Sequence, residues 1–127
     1  MKILIDTNRY KDFCEGGDYA VDILRRSAEI QIPFVVIGEL RAGFACGIRG
    51  PENETVLSRF LRKPRVRTLF ADEYTTRIYA TLFRQLRIQG TPVPTNDLWI
   101  ASLAVQHNLI LFSRDVHFKK LPQIQIV

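Results

Sequence analysis

The sequence predicts an α/β fold: a single domain over residues 1–127, arranged as a three-layer sandwich with a mostly parallel central sheet flanked by helices. Three observations predict it. Short continuous apolar runs recur along the chain, stretches of helical spacing separate them, and a carboxylate follows closely on several of the runs. At 127 residues the chain is long enough to close a hydrophobic core without disulfides or metal staples.

In chain order, "ILI" (3–5) reads as a buried strand of the parallel kind, and the "DTN" after it suits an Asx-type turn. A helical pattern covers 18–30. "FVVI" (34–37) reads as a second buried strand, 38–48 as the helix behind it, and 53–63 as another helix. "VRTLF" (66–70) reads as a further strand. Over 72–89, Ile78, Tyr79, Leu82, Phe83 and Leu86 form one stripe, with Arg77, Arg84 and Arg87 opposite, as in an amphipathic helix. "QGTPVPTN" (89–96) is a Gly/Pro/Asn loop inside the domain rather than a boundary. The segment 96–107 is apolar on nearly every face, which predicts a buried helix with Asn96 and Asp97 in its first turn. "LILF" (109–112) is the third buried strand, a short helix follows 115, and "IQIV" (124–127) reads as a closing strand.

Eighteen Lys and Arg against thirteen Asp and Glu give a formal charge of +5. That balance favours a polyanionic partner, most often nucleic acid. Cys14 and Cys46 are too few for a disulfide framework or a zinc cluster and read as small buried hydrophobes in a reducing cytosol. "MKILID" reaches an acid too soon for a secretory segment, and no apolar run approaches bilayer-spanning length. A cytoplasmic protein without membrane contact is expected.

In open parallel sheets, sites form beyond the carboxyl ends of the strands. Asp6 follows "ILI", Glu39 follows "FVVI", and Asp115 follows "LILF". From Tyr74 to the C-terminus the only acids are Asp97 and Asp115, against six Lys or Arg. A solvated surface interleaves both signs, so this half of the chain reserves its negative charge for two positions where helices begin. Asp97 lies on no strand end, but its helix can carry it to the same rim. Four carboxylates at one edge repel each other and need compensation. A hard divalent cation supplies it, and an all-oxygen set favours Mg²⁺ or Mn²⁺ over Zn²⁺. Such an ion can activate water and offset charge on a phosphodiester.

"ILIDTN", "VVIGELRAG" (35–43), "PTNDLWIA" (94–101) and "LFSRDVHF" (111–118) together resemble the four signature blocks of the PIN-domain ribonucleases, and within them the VapC-type toxins of toxin–antitoxin pairs. The resemblance runs over essentially the whole chain. It implies a PIN-like sandwich, Mg²⁺- or Mn²⁺-dependent RNA cleavage, a homodimer, and inhibition by a VapB-type antitoxin whose C-terminal segment covers the site. Structured RNA such as tRNA is among the implied targets. The family's acids carry over to Asp6, Glu39, Asp97 and Asp115, and its small polar helpers to Thr7, Asn8, Asn96 and Ser113. Two departures stand out. Arg9-Tyr10 follows "DTN" where the family is usually apolar, and no further acid follows Asp115, which puts a second metal in doubt.

Each acid has a plainer reading, as turn former, helix cap or first-turn acid favoured by the dipole. One shared site accounts for all four together. The run "SRFLRKPRVR" (58–67) is in the first instance a solvated face, with Arg62, Lys63 and Arg65 as phosphate contacts in the second reading, joined by Arg9 and Arg41. His107 and His117 read as surface or helix-end residues, His117 lying close to Asp115 in sequence. Haloacid-dehalogenase-type phosphatases require a second Asp where this chain has Asn8, and both they and phosphoacceptor receivers require a lysine at a later strand end that is missing here. The remaining alternative is a PIN-like module that binds RNA or protein without cutting.

Overall fold

The computed structural model describes all residues from Met1 to Val127. Four strands, β1 (Lys2–Ile5), β2 (Glu29–Pro33), β3 (Val66–Leu69) and β4 (Ile110–Phe112), form one parallel sheet in the order β3-β2-β1-β4. Six helices flank it: α1 (Thr7–Cys14), α2 (Asp18–Arg26), α3 (Phe34–Cys46), α4 (Gly50–Leu61), α5 (Glu73–Gln89) and α6 (Thr95–His107). A short 3₁₀ helix, Val116–Lys120, follows β4. The three-layer α/β architecture is the one the sequence predicts.

β1 lies at the centre because Ile3, Leu4 and Ile5 have no polar alternation and are fully buried. It pairs Ile3 with Ile30 of β2 and with Ile110 of β4. The ladder continues one step beyond β1, where Asp6 N–H donates to Phe112 O at 3.1 Å. The ends of β1 and β4 therefore sit side by side. α6 is buried along most of its length (Leu98, Ile100, Ala101, Ser102, Leu103 and Ala104), in keeping with its all-round apolar pattern, and packs on α5, α3 and β4.

The second strand lies elsewhere than predicted. "FVVI" is the first turn of α3, and the strand is the preceding "EIQIP". A four-residue apolar run does not distinguish a buried strand from a buried helix turn. What separates them here is Pro33, whose ring holds its predecessor extended and ends the strand before the helix starts. β2 shows the period-two pattern, with Ile30 and Ile32 buried between half-exposed Glu29 and Gln31. The preceding helix accordingly stops at Arg26, and Ser27 Oγ donates to Ile23 O at 2.7 Å at its end.

Smaller corrections follow the same logic. "DTN" opens a helix rather than a free turn: Asp6 caps α1, accepting from Thr7 N–H at 2.7 Å. The closing "IQIV" is reduced to a single parallel bridge between Leu111 and Ile126. Phe83 leaves the α5 stripe and is half exposed, and its place in the buried face is taken by Thr75. Cys14 and Cys46, each the last residue of its helix, are exposed instead of buried.

Candidate functional site

Two strand ends and two helices deliver the four acids. Asp6 follows β1 directly. Asp115 lies three residues past β4, where it caps the 3₁₀ helix by accepting from His117 N–H at 2.9 Å. Asp97 is in the first turn of α6. Glu39 follows no strand end, contrary to the sequence reading; it is the sixth residue of α3, brought to the rim because α3 starts where β2 stops.

Small polar side chains knit these carboxylates together. Ser113 Oγ donates to Asp6 Oδ2 at 2.7 Å and accepts from Asp115 N–H at 3.0 Å, joining the acids that follow β1 and β4. Thr7 Oγ1 and Asn96 Nδ2 both donate to Glu39, each at 3.4 Å, tying α3 to the starts of α1 and α6. Three of the four predicted helpers, Thr7, Asn96 and Ser113, thus touch the acids. Asn8 is exposed and bonds to none of them.

A residue that the sequence placed at the surface or a helix end, in view only for its nearness to Asp115, completes the cluster. His117 Nδ1 lies 2.9 Å from Asp97 Oδ2 and 3.0 Å from Asp115 Oδ1. The only signal for it in the sequence was its position two residues beyond Asp115.

The electrostatics are those of carboxylates forced together. Burial raises the pKa of Asp6 above the ordinary range, against the lowering pull of the Ser113 and Thr7 hydrogen bonds, and the charge of Asp115 adds to the rise. Partial burial raises Glu39, helped by the charges of Asp6 and Asp97. Burial also raises Asp97, opposed by the His117 contact and reinforced by Asp115 and Asp6. Within this cluster no Lys or Arg side chain pairs with the acids: the neighbouring Arg114, whose charge lowers Asp6 without a direct contact, turns to Asp12, at 3.0 and 3.2 Å. Four carboxylates with one imidazole and no paired Lys or Arg among them, fixed by hydrogen bonds and running from buried Asp6 to exposed Glu39, fit a divalent cation. The donor chemistry agrees, since carboxylate oxygens are the ligands that Mg²⁺ and Mn²⁺ take, and those of Asp97 and Asp115 come within 4.8 Å of each other.

The cations proposed as RNA contacts divide differently. Arg9 lies over the Tyr19 and Phe112 rings and pairs with Asp12 at 3.3 Å. Arg41 makes a bidentate pair with Glu54, its shortest contact 2.8 Å. Arg65 Nη1 donates to the carbonyls of Leu24 and Ser27, fastening the approach to β3 onto the end of α2. Arg62 and Lys63 are exposed and make no ion pair. Beside Glu39 a groove of about 650 Å³ runs between α1, α3 and α4, lined by Tyr10, Leu40, Phe44 and Val56 and by the charged Lys11, Glu15 and Arg49.

Comparison with known proteins adds three findings. The family model described as the PIN domain matches residues 3–124. Ribonuclease VapC4 of Mycobacterium tuberculosis is 32% identical over 97 residues, 76% of this chain and 74% of that protein. Ribonuclease VapC2 of Rickettsia felis is 28% identical over 105 residues, 82% of this chain and 77% of that protein. Among solved structures, VapBC2 from Rickettsia felis bound to a DNA fragment from its promoter superposes with a TM-score of 0.87 at 25% identity, covering 100% of this chain and 98% of that one. DNA-bound VapBC from Salmonella typhimurium has the same fold, with a TM-score of 0.88 at 22% identity over 100% of this chain and 97% of that one.

Proposed function

Because the chain belongs to the PIN-domain family, with VapC ribonucleases among its relatives, we propose that it is a Mg²⁺- or Mn²⁺-dependent endoribonuclease and the toxin of a toxin–antitoxin pair. The observation that carries this reading is the meeting of Asp6, Glu39, Asp97 and Asp115 at one edge of the sheet, where His117 is the one basic side chain in contact with them.

Asp6, Asp97 and Asp115 are the proposed ligands of the cation, with Glu39 as a further ligand or as the group that orients the attacking water. The cation, when bound, supplies positive charge against the phosphodiester and lowers the pKa of a water. Everything else falls to the chain itself. Ser113 holds Asp6 and the backbone of Asp115 in one register, so two strand ends act as one support. Thr7 and Asn96 fix the Glu39 carboxylate, leaving it poised toward the substrate side. Supporting contacts of this kind typically account for about 10- to 100-fold in metal affinity or activity.

RNA is the proposed substrate, in line with the basic balance of the chain. Of the basic residues singled out in the sequence, Arg62 and Lys63 are the ones left for phosphate contact; Arg9, Arg41 and Arg65 are engaged within the fold. A VapB-type antitoxin is the proposed partner, supported by the solved VapBC complexes. The groove beside Glu39, lined by apolar side chains and by charges of both signs, offers an inhibitory segment a path to the acids. Homodimerisation is carried over from the resemblance and is consistent with the apolar surface that Phe83 and Ile88 expose on α5. No helix is long and apolar enough to cross a membrane.

The test is cleavage of a pool of cellular RNA by antitoxin-free protein with Mg²⁺, with Mn²⁺ or with EDTA, beside an Asp97→Asn variant. Discrete products that disappear with EDTA and in the variant are expected, and mapping their ends names the target. Metal-loaded, folded protein that leaves the RNA whole contradicts the nuclease and favours a module that binds without cutting.

A further inference from the structure

We propose that His117 is a nitrogen ligand of the cation, shared with Asp97 and Asp115, and that it biases the site toward Mn²⁺ over Mg²⁺. This rests on the carboxylate-held metal of the preceding section, and goes beyond it by making part of the site a mixed nitrogen–oxygen centre.

The geometry points there from several sides. One carboxylate oxygen each of Asp97 and Asp115 and a ring nitrogen of His117 all lie within 4.8 Å of one another. His117 Nδ1 is 2.9 Å from the first oxygen and 3.0 Å from the second, so the three donors enclose a point that one small ion can reach. Together they would hold the ion from the Asp97–Asp115 side, with Asp6 as a further ligand.

The ring is aimed by the backbone, not by chance of rotamer. Asp115 caps the 3₁₀ helix and accepts His117 N–H at 2.9 Å, which fixes where the His117 side chain leaves the chain. Phe118, the next residue, is 1% exposed and anchors that turn in the core. The side chain of His117 is 37% exposed, open enough for an ion to arrive from solvent. Arg114 is held by Asp12 and does not reach this pair of acids, so the imidazole is the one nitrogen-bearing side chain placed between them.

Without the ion, Nδ1–H can donate to both carboxylates and keep them from springing apart. In the tautomer with its hydrogen on Nε2, Nδ1 would offer its lone pair to the ion instead. The preference follows from ligand chemistry. Mg²⁺ binds almost wholly through oxygen and holds its waters tightly, whereas a nitrogen donor raises affinity along the first-row series that begins with Mn²⁺.

The deciding experiment is pulsed electron paramagnetic resonance on the full chain loaded with Mn²⁺, reading ¹⁴N modulation from a directly bound imidazole. The wild type is expected to show it, and folded His117→Asn, which places an oxygen near the same point, is expected to lose it. Calorimetry with each metal alone should give Mn²⁺ binding weakened about tenfold or more in His117→Asn, within the range of metal-site substitutions, with Mg²⁺ binding changed less. Bound Mn²⁺ without nitrogen modulation in the wild type overturns the ligand role while leaving the carboxylate site intact. Absence of any Mn²⁺ binding overturns both. The wild-type spectrum decides even if the variant fails to fold.

Discussion

Asp97 stands in the first turn of a helix, where unpaired N–H groups and the macrodipole ordinarily favour a carboxylate. Its pKa is nonetheless raised, because burial and the charges of Asp115 and Asp6 outweigh both that advantage and the His117 contact. Asp6 and Glu39 are raised as well. A raised carboxylate binds its proton more tightly folded than unfolded, so the sign is destabilising as pH rises. The penalty is absent below the ordinary value of 3.8 for Asp97 and grows as pH climbs from there to the raised folded value. Asp97→Asn should therefore raise the melting temperature of the metal-free protein at pH 7.5 by about 2–4 °C, the shift expected for a gain on the order of 1 kcal/mol in a domain of this size. It should do so while abolishing metal-dependent cleavage. A variant that melts lower than the wild type in EDTA would contradict the like-charge account of this site.

At the scale of elements, the site depends on where helices start. β1, β4 and α6 were legible in the sequence, the strands as continuous apolar runs and the helix by its length. The convergence of Asp6, Asp97 and Asp115 on one edge followed from that placement. Glu39 reached the same edge by a different route than its neighbours in sequence suggested, because "FVVI" carries no periodicity and only Pro33 marks the true boundary. His117 was hidden for another reason: its role depends on the 3₁₀ turn that Asp115 caps, a contact no spacing rule encodes. Nor does a run of charge reveal which cations are used internally. Arg65 fastens the start of β3 to α2 through two carbonyls. Arg65→Ala should cost about 1 kcal/mol in denaturant unfolding, as two part-buried carbonyls lose a charged donor. The slope of log binding against log salt for RNA should stay unchanged. A shallower slope with unaltered stability would return Arg65 to the phosphate-binding set.

Across the whole molecule, the sheet positions charge that the fold alone does not balance. Asp6 is 6% exposed at the end of a fully buried strand, so the core itself holds one acid against the others. Added Mg²⁺ should stabilise the protein by mass action, about 2.7 kcal/mol at a hundredfold excess over the dissociation constant. Protons compete with the ion for the raised acids, so the Mg²⁺-induced rise in melting temperature should be larger at pH 7.5 than at pH 5. An equal rise at both values would mean that the ion binds elsewhere.

The central claim is that residues far apart in the chain form one cation site. Calorimetric titration of Mn²⁺ into the wild type, Asp6→Asn and Asp97→Asn tests it most directly, since one acid follows the first strand and the other opens the last α-helix. A single shared site predicts that each variant alone weakens the same binding event by more than about 100-fold, beyond the loss typical of supporting contacts. Wild-type affinity retained in either folded variant would contradict it.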